Sequence, residues 1–198
     1  MGKRVFVSAD WKEGSDFRSC DKIVVDKIRQ WANDRRLSVE LDCTDDVHDS
    51  VVYDPDCRRC DIKGECGRHI DRSSIVIFVV GDNTADKSSG WCNSESCSPA
   101  YSGQVKENCK YKNKNSPSDD VTDGRKMSYL QYEITKAAIA GKTIILVFNS
   151  MQNEGSWIPT WYDTLRRNYK FTEQCRVPFW KNRERTQDCY QDIKDYLL

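Results

Sequence analysis

Glu133 follows Tyr132 directly, and Tyr129 stands four residues before it, in SYLQYEITKAAIAGKTIILVF at residues 128–148. An acid near a helix start has two readings. It is a solvated first-turn residue favoured by the helix macrodipole, or, where the helix opens on a crevice, an acid brought together with a polar loop and aromatic walls. The residue taken alone favours the first. VSADW at positions 7–11 and GDNT at positions 81–84 are the other stretches whose side chains suit a ligand. Ser8, Asp10 and Asn83 offer polar contacts, and Trp11 or Tyr132 offers a ring for stacking on a base. Against that, Asp10 can cap a turn, Trp11 can cover the edge of a core, and Asn after a strand is commonly a turn residue.

Ten cysteines form the second chemical resource. Cys57 and Cys60 make a C-x-x-C pair, half of a structural zinc site that needs four ligands in tetrahedral array. The remaining ligands are Cys92 and Cys97, or else Cys66 and His69. In the first case one zinc staples two segments that flank a single strand. The spacing fits no standard zinc finger, and Cys66 also sits where a helix would bury a small apolar residue. Cys20, Cys43, Cys175 and Cys189 read as packing positions. Asp45, Asp46, His48 and Asp49 cluster with the types a divalent ion needs, yet a solvated loop is the simpler reading. Neither His48 nor His69 has a Ser or Cys partner that would make a hydrolase triad.

These side chains need elements to position them. RVFVS at residues 4–8 and SIVIFVV at 74–80 are apolar, β-rich runs suited to buried strands. KTIILVF at 142–148 is a third. LSVEL at 37–41 alternates and reads as an edge strand, and CRVPFW at 175–180 as a last short one. Phe17, Val24, Ile28 and Trp31 recur at helical spacing after an N-cap at Ser15 or Asp16. Ile62, Cys66 and Ile70 suggest a short helix, weakened by Gly64 and Gly67. Tyr129 to Ile139 is a helix stopped by Gly141. Helical spacing also marks a short helix before Tyr169 and a closing one from Thr186 to Leu198. Residues 83–126 show little periodicity and form a long insertion, of the kind that is functional or disordered.

Strands alternating with helices predict an α/β three-layer sandwich, about five parallel strands in the flavodoxin-like order 2-1-3-4-5, in a single domain over 1–198 with the cysteine-rich insertion inside it. In that topology ligands bind outside the carboxyl ends of the strands, between strands one and three. The ends there are Ser8 to Trp11 and Gly81 to Thr84, and the helix of Glu133 starts beside them.

Lys plus Arg and Asp plus Glu number 31 each, so no global field attracts nucleic acid or an acidic membrane. The start MGKRVFVSADWK has too short an apolar run for a signal-peptide core, no run reaches transmembrane length, and Phe6 stands where a myristoylation signal needs Ser or Thr. The expectation is a soluble cytoplasmic protein with reduced thiols or bound metal.

The order of these pieces resembles a known family. Lys3 to Ser8, Asp16 to Arg18, Ile75 to Thr84, Tyr129 to Ile134 and Gly141 to Val147 are similar to the opening strand, helix start, strand-loop, glutamate helix and Gly-Lys turn of the TIR-like domains of bacterial Thoeris antiphage systems. The resemblance covers roughly the first three quarters of the chain, and the insertion around Cys92, Cys97 and Cys109 departs from the family's short loop. It implies a TIR-like fold and an enzyme that cleaves NAD at the nicotinamide–ribose bond, with Glu133 as the carboxylate against the ribose, and Ser8, Asp10, Trp11, Asn83 and Tyr132 as substrate contacts. It further implies an ADP-ribose-derived, cyclic product, a downstream effector that senses it, a phage-derived trigger and assembly as a homo-oligomer. The alternatives are a non-catalytic TIR-like interaction module and a receiver domain. The receiver is the weakest, because strand one ends in SADW rather than paired acids and strand three lacks a flush phosphorylatable Asp.

Overall fold

The computed structural model describes residues 4–9, 22–33, 40–43, 58–81, 120–149, 160–169 and 173–178. In chain order these form β1 (Arg4–Ala9), α1 (Lys22–Ala32), β2 (Glu40–Cys43), α2 (Arg58–Arg72) and β3 (Ile75–Gly81). A single 3₁₀ turn (Gly124–Lys126) then leads to α3 (Tyr129–Ile139), β4 (Thr143–Asn149), α4 (Thr160–Tyr169) and β5 (Glu173–Pro178). The fold is α/β, built on a parallel sheet.

Its centre is β1, β3 and β4. Val5 pairs with Ile75 and Ala9 with Val79, while Ile75 pairs with Thr143 and Gly81 with Asn149. Val5, Phe6, Val7, Val76 to Val79 and Ile144, Ile145 and Val147 are all fully buried. Such two-sided burial explains the unbroken β-branched and aromatic runs, because a central parallel strand has no water-facing side. At the flanks β2 joins β1 and β5 joins β4, also parallel, so the strands lie in the order β2, β1, β3, β4, β5.

One face of the sheet sets the site. Side chains alternate along a strand, and Phe6, Val76, Phe78, Val80, Ile144 and Leu146 share one apolar cluster with Ile62, Cys66 and Ile70 of α2 and Leu130, Ile134 and Ala137 of α3. Ser8, two residues beyond Phe6, is on that same face.

Several boundaries differ from the sequence expectation. The helix around Ile62 is not short: it runs 15 residues through both Gly64 and Gly67. Burial of Ile62, Cys66 and Ile70 outweighs the ~1 kcal/mol that each interior glycine forfeits relative to alanine. Strand two is described over Glu40–Cys43, in register with Arg4 to Val7, and extends past the expected end at Leu41. The last strand is described over Glu173–Pro178, so it takes in two residues before the expected start at Cys175. The start of α1 at Ser15, residues 37–39 and the closing helix at 186–198 lie outside the described residues. Among the described residues no helix is long and apolar enough to cross a membrane.

Candidate active site

Glu133 reaches its position through a chain of local contacts that begins in α2. Lys63 is fully buried, and its ammonium donates to the carbonyls of Gly124 at 2.9 Å, Arg125 at 3.2 Å and Met127 at 2.6 Å. An ammonium has three N–H donors, and two carbonyls of the 3₁₀ turn and that of its C-cap, Met127, receive them. The same nitrogen lies 5.9 Å from the ring centroids of both Tyr129 and Tyr132, within cation–π range. The turn opens at Asp123, whose φ of 54° is left-handed, a conformation Asp tolerates better than most residues.

From that anchored turn α3 starts cleanly. The Ser128 hydroxyl accepts from the backbone N–H of Gln131 at 3.1 Å, an N-cap on the S-x-x-Q pattern of a capping box. At the far end Gly141 has φ of 62°, its N–H reaches the carbonyl of Ala138 at 3.1 Å, and that of Lys142 reaches Ala137 at 2.9 Å. This paired closure is a Schellman motif, and it needs a residue at ease in left-handed backbone. Both ends of α3 are therefore set by sequence, and Glu133 sits a little over one turn in.

The Glu133 carboxylate is buried, at 1% exposure. Ser8 of β1, 3% exposed, donates its hydroxyl to Glu133 Oε2. Cys66 of α2 is fully buried against the same carboxylate. Burial pushes the Cys66 thiol well above its ordinary range, and the Glu133 charge and the bond between thiol and carboxylate push it further. Cys66 is therefore a neutral S–H donor at physiological pH, not a thiolate. Three elements thus converge on one acid, at the carboxyl end of β1 and beside β3. The solvated first-turn reading of Glu133 does not survive this geometry.

Tyr132 occupies a different place from the crevice wall expected of it. It is fully buried and faces α2, where a Cβ added at Gly67 would stand 3.0 Å from its hydroxyl oxygen. Of the expected site residues, Ser8, Glu133 and Tyr132 are described; Ser8 and Glu133 touch, while Tyr132 fills the seam between α2 and α3. Asp10, Trp11 and Asn83 lie outside the described residues.

The zinc expectation meets only part of its ligand set. Cys57, Cys92 and Cys97 lie outside the described residues, as do Asp45, Asp46, His48 and Asp49. Cys60 is fully buried on α2. His69, the alternative ligand, stacks on Phe6 with centroids 5.9 Å apart and stands 3.5 Å from a Glu65 carboxylate oxygen. Among the described residues no group of three His, Cys, Asp or Glu side chains could hold a metal ion.

Two residues of the site escaped sequence reasoning. A lysine inside a helix reads as solvent-facing by default, so Lys63 gave no sign of burial. Gly67 read only as a helix weakener, whereas its missing Cβ is what admits Tyr132. Set against known proteins, the chain matches no family model, no curated protein and no solved structure.

Proposed function

We propose that the chain is a TIR-like, NAD-cleaving enzyme of bacterial antiphage defence, on a flavodoxin-like sandwich of about five strands. The observation that carries this reading is a carboxylate, Glu133, buried at the carboxyl end of β1, where the strand order reverses between β1 and β3. Cleavage of the nicotinamide–ribose bond sends the bond's electron pair to nicotinamide, which leaves neutral, and the ribosyl carbon gains positive charge. A carboxylate held out of water stabilises that charge more strongly than a solvated one. Water or a hydroxyl of the ADP-ribose portion then adds to the carbon and loses its proton. The second addition gives the cyclic product that a downstream effector would sense.

One observation favours a second reading. A carboxylate only 1% exposed and held from two other elements is also what a non-catalytic TIR-like interaction module would use to lock its helices. Glu133→Gln separates the two. Incubated with NAD, alone and with lysate of phage-infected cells, the native chain should release nicotinamide and the variant should release at least ~100-fold less. NAD left intact by the native chain under both conditions would overturn the enzyme reading.

A further inference from the structure

Ser8 was expected among the substrate contacts, but its hydroxyl proton is directed at a protein carboxylate. The hydroxyl leaves β1 on the face that carries Phe6 and Phe78, and there it donates to Glu133 Oε2. Cys66 stands against the same carboxylate from α2, between Ile62 and Ile70 along the buried stripe of that helix. A glutamate has three side-chain torsions, and fixing them takes free energy. Donors from a strand and from a second helix supply it, because hydrogen bonds to an ionised acceptor are stronger than neutral ones.

We infer that Ser8 and Cys66 are positioning residues for Glu133, fixing its carboxylate from the strand side and from the helix side, so that Ser8 acts on the reaction through Glu133 and not by touching substrate. The inference rests on the enzyme reading for its kinetic consequence alone. Misplacing a reacting group by about an ångström can lower turnover ~100-fold, whereas loss of a plain substrate contact raises KM and leaves kcat unchanged.

The test uses the full chain with Ser8→Ala, Ser8→Thr and Cys66→Ala, and two readouts. In the first, steady-state NAD cleavage, Ser8→Ala should lower kcat about 10- to 100-fold with KM within about twofold, and Ser8→Thr, which keeps the hydroxyl, should recover most of the loss. The acid limb of the Ser8→Ala pH profile should move up by about one pH unit, since a bond to the ionised form holds protonation to lower pH. A raised KM at native kcat would overturn the inference. The second readout needs no activity: carbon-13 NMR titration of labelled glutamate, with the Glu133 signal identified by its loss in Glu133→Gln. Removing either donor should shift the Glu133 titration upward in the resting protein. An unchanged titration in both Ser8→Ala and Cys66→Ala overturns the positioning role even if NAD is cleaved; a shifted titration in a chain that cleaves no NAD upholds it and sinks only the enzyme reading.

Discussion

At position 67 a single hydrogen decides how close two helices come. A Cβ there would stand 3.0 Å from the Tyr132 hydroxyl oxygen and 3.8 Å from Cε of Lys136. Tyr132 is fully buried, so its ring has little room to give way. Two effects oppose each other in Gly67→Ala: helix propensity gains about 1 kcal/mol, and overpacking a filled site costs about 1–3 kcal/mol. With the ring held between α2 and α3 the second should win, and we expect a net loss of up to about 2 kcal/mol in urea unfolding. Tyr132→Phe in the same chain removes the crowded oxygen, so the double variant should be more stable than the two single losses added together. Strict additivity would show that the contact is not what excludes alanine.

Helix α3 begins where it does because α2 holds the turn in front of it. Lys63→Met keeps most of the side-chain bulk but leaves the carbonyls of Gly124, Arg125 and Met127 without their ammonium. The expected cost is about 2–4 kcal/mol, larger than the ~1 kcal/mol for Ser128→Ala at the N-cap. Hydrogen exchange locates the effect: in Lys63→Met the amides of Gln131 to Glu133 should exchange faster than those of β3, and equal protection would show that the turn does not govern the helix start. Much of this element was legible in the sequence. Ser128 and Gln131 announce the cap, Gly141 the stop, and Ile75 to Val80 the strand that α3 covers, because these are local patterns of capping and periodicity. The length of α2 was not legible, since local propensity counts its glycines against it and only the packed core reverses the sign. The burial of Glu133 was illegible for the same kind of reason: Ser8 is 125 residues away along the chain, and nothing within the helix announces the meeting.

At the scale of the molecule, two buried lysines grip residues 120–126, the stretch that leads into α3. Lys63 holds its 3₁₀ turn, and Lys136 of α3, only 5% exposed, pairs with Asp120 at 2.5 Å and with Asp71 at the end of α2 at 2.8 Å. Between them Val121, Gly124 and Arg125 are buried, while Thr122, Asp123 and Lys126 face solvent. Burial alone would pull the Lys136 ammonium below its ordinary value, but the bonds to Asp120 and Asp71 outweigh it and leave it raised. A group whose pKa is higher folded than unfolded contributes its stability fully below the unfolded value, about 10.4 for lysine, and loses it as pH climbs through the folded one. The urea midpoint of the native chain should therefore exceed that of Lys136→Met by a constant margin from neutral pH to about pH 9, and the margin should shrink once pH passes about 10.4. Because Asp71 and Asp120 are half-exposed, the variant leaves both acids solvated, so the margin reports the pairing and not a stranded charge. A margin that stays constant through that alkaline range would mean that the lysine stem, by packing alone, holds residues 120–126 to the helices.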